Sequence, residues 1–239
     1  MRTGVTAIHP RGKGNPGDPV AAGFHSQNGN GEMTGVSWIK ESGTCQGPIA
    51  ITNTHAVGIA HAGIIAWMNR YHPEFADVNP MRDSSNHAPV GPNQPPVGPN
   101  QPPPGAGSVI AVVATDAPLF PSQCKALARR VTSGLARTGA SGSHFSGDLF
   151  LAFSTANPGG FTPSEPGPMT PPAQATRYDR LTFIPWGYLD PFFEAVVQAT
   201  EEAVINSLIA SEEMVGRQGH RSPALPRDRL AEIIAARNA

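Results

Sequence analysis

A chain of 239 residues can bury a substantial core, as one domain or one and a part. Hydrophobic residues at 39% and charged residues at 15% rule out a fully disordered protein, and a formal net charge of -1 gives no basic surface for nucleic acid or an anionic membrane. No stretch approaches the roughly 18 apolar residues of a membrane span and residues 1–13 lack the apolar run of a signal peptide, so a cytoplasmic address is expected.

The first block, residues 1–75, is rich in Gly, Thr and Asn. Residues 5–8 start as a strand-like run and pass into a turn-rich stretch between Pro10 and Pro19. The β-branched content of 35–39 and 48–52 predicts two further short strands. Residues 54–71 place Val57, Ile64, Ile65 and Met68 at near-helical spacing, with Ala60, Ala62 and Ala66 favouring the helix. Cys45 and Cys124 do not make a disulfide framework and are expected as reduced packing residues.

The character then changes. Residues 76–107 read as a Pro/Gly-rich linker, in which the seven residues 90–96 are repeated identically at 97–103. Prolines remove backbone donors and favour polyproline II, and little here can fill a core. No Arg or Lys flanks its PxxP spacing, so a solvated spacer is expected over a peptide ligand of an SH3-type domain.

The second block, 108–239, carries the clearest periodicities. Residues 108–114 and 148–154 read as buried apolar strands. Between them, 122–137 read as a helix with Cys124, Leu127, Ala128, Val131 and Leu135 on one face, closed by Gly139. A long helix follows, with Asp190 as N-cap, Pro191 at its first position, an apolar stripe of Phe193, Val196, Val197, Val204 and Leu208, and Gly216 as its stop. A final short helix covers 227–237. Continuous apolar strands beside one-sided helices predict an α+β protein built as a layered sandwich.

Chemistry concentrates where those two strands open. Ser108 follows Gly107, a residue without Cβ that tolerates the strained backbone attack on its carbonyl requires. Cleavage of the 107–108 bond would give Ser108 its own base, an α-amine with a pKa of about 7.7–8.0. Ser146 and Asp148 lie two apart at the start of the second strand, where Asp148 is placed to orient Ser146 or to stabilise charge on that amine. On local pattern alone the ordinary reading stands beside this one: a serine opening a strand, and a Ser-Gly-Asp turn. His55 and His61 lack metal-site spacing and an obvious third ligand. The glycine-rich residues 28–35 lack the Lys-Ser/Thr of a phosphate cradle and read as a turn-rich loop. Asn53 and Thr54 read as a helix cap, and Glu201-Glu202 as a solvated face.

Taken together, residues 2–8, 28–35 (Asn-Gly-Asn-Gly-Glu-Met-Thr-Gly), 48–58, 107–119, 134–139, 146–157 and 219–226 resemble the P1 family of self-processing aminopeptidases. These are the relatives of L-aminopeptidase D-esterase/amidase and of the β-peptidyl aminopeptidases. The resemblance implies an αββα sandwich of two subunits from one precursor, 1–75 contributing to the first and 108–239 to the second. It implies Ser108 as new N-terminus and nucleophile, with Ser146 and Asp148 assisting. The implied reaction is acyl transfer from short peptides or amino-acid amides and esters, without metal or organic cofactor, in a homo-oligomer. An ornithine acetyltransferase, of similar architecture, uses a threonine nucleophile, and Ser108 argues against it. The family's N-terminal segment and a central stretch before the nucleophile have no match in this sequence. That stretch carries an acidic residue for the substrate amine, a glycine-rich segment and an oxyanion asparagine. The sandwich is therefore expected to be incomplete, and the alternative expectation is a shortened, catalytically inactive member.

Overall fold

Side-chain alternation builds the centre of the protein. The computed structural model describes residues 4–73, 107–144, 146–161, 178–216, 219 and 221–238. The expected linker lies outside the described residues, apart from Gly107. Strand β2 (Val20–Ser26) sends Val20, Ala22 and Phe24 to one face and Ala21 to the other; β6 (Leu149–Ser154) sends Leu149, Leu151 and Phe153 one way and Phe150 and Ala152 the other. Both faces are buried, which is why residues 148–154 read as an unbroken apolar run; β2 was not among the strands expected from the sequence. Burying a side chain such as Phe150 stabilises the fold by about 1.5–3 kcal/mol.

The sheet has the order β3-β2-β6-β5, with β3 at Thr44–Cys45 and β5 at Ile110–Thr115. β2 runs antiparallel to β3 and β6, whereas β5 and β6 are parallel. Parallel neighbours need a crossover, and helix α3 (Pro121–Arg137) supplies it. Its expected face, Cys124, Leu127, Ala128, Val131 and Leu135, is buried against the sheet and against α4 (Asp190–Ala210). Gly23 of β2 makes the close approach of α3 possible, since a Cβ there would lie 2.0 Å from the backbone nitrogen of Lys125.

On the opposite face a second, two-stranded sheet pairs β1 (Thr6–Ile8) with β4 (Ile49–Ile51), in register from Thr6 opposite Ile51 to Ile8 opposite Ile49. Ile8 and Ile49 pack on the β2–β6 core, and α2 (Val57–Tyr71) covers β4. Trp67 of α2 sets its ring 5.1 Å from that of His9. The layers thus run helix, sheet, sheet, helix, as expected for an α+β sandwich, with only two strands described in the second sheet.

Three expectations need correction. Residues 35–39 are not a strand: Val36–Ser42 form helix α1, bracketed by Gly35 (φ 80°) and Gly43 (φ 72°), which start and stop it in the left-handed region. Its β-branched content was outweighed by the burial of Ile39 from a helical turn. Helix α4 begins one residue after its capping position, Leu189, so Asp190 is inside it, and it ends at Ala210 instead of Gly216. There Ser211 turns extended, and the chain forms the exposed hairpin of β7 (Met214–Val215) and β8 (Arg221–Ser222) before α5 (Arg227–Asn238). Finally, β5 is an edge strand of its sheet among the described residues, and Ile110 and Ala114 are exposed.

At the C-terminal end of β6, Arg11 ties the first block to the second. Its Nε lies 2.9 Å from Asp18 Oδ2. The guanidinium also donates to the carbonyls of Pro19, Thr155 and Ala156.

Candidate active site

The register of β5 and β6 brings the sequence-predicted residues together. Ile110 stands opposite Leu149, so two residues back along parallel strands Ser108 stands opposite Gly147. The Gly147 N–H donates to Ser108 Oγ at 2.9 Å. Val109 is held from both sides: its N–H donates to Asp148 Oδ1 at 2.8 Å, and its carbonyl accepts from Leu149 N at 3.0 Å. The chain around Ser108 is thereby fixed without using the serine hydroxyl as a structural donor.

Asp148 and Ser146 each take a partner of their own in this arrangement. The carboxylate takes the amide after Ser108, and Ser146 finds another partner: Asn28 Nδ2 donates to Ser146 Oγ at 2.7 Å and to the Ser143 carbonyl. Asn28 in turn accepts the Asn30 N–H at 3.1 Å, and Ser26 Oγ accepts the Gly29 N–H at 2.9 Å. These bonds fold the glycine-rich loop over the strand openings. A Cβ at Gly31 would lie 2.5 Å from the Gly147 carbonyl oxygen, and one at Gly147 would lie 3.1 Å from Ser108 Oγ. Only glycines allow the loop and the two strands to meet this closely.

Sequence reasoning therefore missed Asn28, Gly31 and the Gly147 amide. The available signal was an Asn-Gly-Asn-Gly run directly after an apolar strand, which the missing Lys-Ser/Thr demoted to a turn. Asn53 was expected as a cap, yet it makes no capping hydrogen bond to the short turn 54–56. The Oγ1 of Thr52 and Oδ1 of Asn53 are instead buried without a hydrogen-bond partner among the described residues. His55 is exposed on that turn, and His61 of α2 lines the cavity beside the glycine-rich loop.

Exposure separates the roles these groups can take. Gly107 and Ser108 are exposed, whereas Ser146, Gly147 and Asp148 are buried. An accessible hydroxyl and an accessible peptide bond before it sit on buried, hydrogen-bonded donors and acceptors, a preorganised setting for attack on a carbonyl. Burial and the positive charges of Arg129 and Lys125 lower the pKa of His25 on β2. Beside the glycine-rich loop lies a cavity of about 190 Å³, walled by Met33, Ile51, Ile65, Ile110 and Leu149 among others.

Residues 1–90 and 79–222 match Peptidase family S58 as two overlapping pieces. The β-peptidyl aminopeptidase BapA of Sphingosinicella microcystinivorans is 30% identical over 329 aligned residues, covering 98% of this chain and 80% of that protein. Since 329 exceeds 239 by 90, at least 90 positions of that alignment stand opposite gaps in this chain. The structure of L-aminopeptidase D-Ala-esterase/amidase from Ochrobactrum anthropi, a variant of the Ntn hydrolase fold, superposes with a TM-score of 0.75 at 27% identity, covering 100% of this chain and 86% of that one. A β-aminopeptidase from Burkholderia sp. gives a TM-score of 0.75 at 26% identity, with 99% and 87% covered.

Proposed function

Because this chain belongs to Peptidase family S58, we propose that it is a serine aminopeptidase that cuts its own backbone between Gly107 and Ser108. In the first step Ser108 Oγ bonds to the Gly107 carbonyl carbon, the 107–108 C–N bond breaks, and the hydroxyl proton passes to the departing nitrogen. Water then hydrolyses the ester, leaving a carboxylate on Gly107 and a free amine on Ser108. That amine, partly neutral at pH 7, serves as the base for its own hydroxyl. A substrate's first peptide, amide or ester carbonyl is attacked in the same way. The amine or alcohol leaves with the proton, and water releases the acyl group. Ser146 and Asp148 are positioning residues in this scheme, Asp148 through Val109 and Ser146 through the Asn28 network.

The observation that carries the reading is the Gly147 N–H bonded to the exposed Ser108 hydroxyl at 2.9 Å. It holds the hydroxyl of the residue whose nitrogen forms the bond to be cut. The substrates are short peptides or amino-acid amides and esters, the active species is a homo-oligomer, and the address is cytoplasmic. A second reading, a shortened and inactive family member, is supported by the 90 or more unmatched positions of the BapA alignment.

Intact mass of the purified protein, with Ser108→Ala alongside, separates the two. Fragments 1–107 and 108–239 in the wild type and a single 25.0 kDa species in the variant are expected. One uncut species in both would overturn the self-processing enzyme and leave the inactive member.

A further inference from the structure

Strand β5 carries a row of backbone groups that no described strand pairs. The Leu149 N–H donates to the Val109 carbonyl and the Thr155 N–H to the Thr115 carbonyl. Backbone groups alternate along a strand, so Val109, Ala111, Val113 and Thr115 face β6. Ile110, Val112 and Ala114 then aim their N–H and C=O groups at the open edge. Ile110 is 42% exposed, and Ala114 is exposed with it. Soluble proteins blunt such edges with lysine, proline or a bulge, or cover them. The six residues of β5, Ile-Ala-Val-Val-Ala-Thr, run in unbroken register with β6 and hold no lysine, proline or bulge.

Residues 74–106 and 162–177 of the same chain are rich in proline, which has no N–H to give a ladder. The edge is instead its own complement. In an antiparallel pair across a two-fold axis, outward-facing residues meet outward-facing residues, and only the register centred on Val112 engages all three. It sets the large Ile110 of each copy opposite the small Ala114 of the other, and Val112 opposite Val112. No charge on β5 opposes the approach, and a two-fold pair uses up both open β5 edges.

Carried one pair further, this register reaches the nucleophile. Ser108 lies two residues before Ile110 and Asp116 two after Ala114, so each copy's Asp116 stands opposite the other's Ser108. Both residues are exposed. By the same alternation the Ser108 nitrogen faces the open edge, and it is the atom that the proposed cut would free.

We infer that two copies of this chain join β5 to β5 in this register, and that each supplies Asp116 to the other's Ser108 amine. The carboxylate holds the free amine beside its hydroxyl and stabilises the ammonium formed when that amine takes the hydroxyl proton. The inference rests on the self-processing homo-oligomer proposed above, and gives it an interface and a shared site.

Light scattering of the full chain on a sizing column tests the pairing without turnover. The wild type is expected at twice the 25.0 kDa of one chain, or a multiple of that. Val112→Pro removes an outward N–H and no bond to β6, and Ala114→Lys sets a charge on the exposed edge. Each should halve the mass while keeping the wild-type circular dichroism; should Val112→Pro not fold, Ala114→Lys decides. Under mild oxidation Val112→Cys should link two copies, because opposed residues in such a pair lie about 5.5 Å apart, within the roughly 4.4–6.8 Å that a disulfide spans. Ala114→Cys should not. A wild-type monomer overturns the homo-oligomer and this interface together. An oligomer unchanged by both edge variants overturns the interface and leaves the homo-oligomer standing. A Val112→Cys protein that stays unlinked, or an Ala114→Cys protein that links, overturns the register and with it the place of Asp116. Intact mass reads the cut separately, so an uncut protein that still pairs refutes self-processing alone.

Discussion

Asp148 and Val109 are 39 residues apart in the chain, yet the carboxylate of one accepts the amide of the other at 2.8 Å. This bond fixes the peptide unit that follows Ser108, so the backbone there is anchored from a strand it does not belong to. Asp148→Ala leaves the Val109 N–H without that acceptor, at a cost of about 1–3 kcal/mol. The expected result is a Tm about 2–10 °C lower by calorimetry, with self-cleavage slowed by more than the loss of fold explains. Asp148→Asn keeps an acceptor oxygen and should recover most of the Tm.

Asn28 stabilises Ser146 across 118 residues. Asn28→Ala strands a buried hydroxyl, and a loss of about 1–3 kcal/mol is expected in denaturant unfolding. Processing, followed by intact mass over time, should slow by about tenfold or more, since a shift of 1.4 kcal/mol in the barrier suffices for that. Unchanged processing would place Ser146 outside the machinery.

Two glycines should behave oppositely. Gly31→Ala sets a methyl 2.5 Å from the Gly147 carbonyl and 2.6 Å from Leu149 Cγ, an overpacking that costs about 1–3 kcal/mol. Gly107→Ala meets nothing within 4 Å. It should keep the wild-type stability to within about 0.5 kcal/mol and slow only the cut, because the methyl crowds the carbonyl under attack.

Burial pushes the Cys124 thiol up to about 12 and the Cys45 thiol up to about 11. Both are free cysteines. Neither should react with a disulfide reagent at pH 8 until the protein unfolds. The raised values also set a pH dependence. The unfolded thiols ionise near 9 while the folded ones keep their protons. Their stabilisation is therefore complete below about pH 9 and is lost as pH rises through 11 and 12. Melting temperatures that rise above pH 9 would contradict this.

The parts legible in the sequence were those whose cause is local. Phe150 and its neighbours form an unbroken apolar run because both faces of β6 are covered, and Cys124 to Leu135 form a stripe because one face of α3 is. Ser108, Ser146 and Asp148 were legible as strand openings next to small residues. The partner of each was not: Asn28 reaches Ser146, and Gly31 reaches Gly147, through pairings of distant strands that no window of sequence contains. Helix α1 escaped for a related reason, since its seven residues are too few to display a helical period and its glycine brackets act through backbone angles.

The ladder between β2 and β6 spans six residue pairs, and it joins the piece before Ser108 to the piece after it. A cut at residue 107 would interrupt no strand, so its two products would stay zipped along this seam, with Arg11 as a clasp at one end. Under the proposed self-cleavage, assembly would precede the cut, because the cut would need strands β5 and β6 in place. Afterwards, regaining the fold from separated pieces becomes a second-order encounter, slower at every dilution. Self-cleavage would thus make the folded state a one-time product: the intact chain folds by itself, and the finished protein has no single chain left to refold.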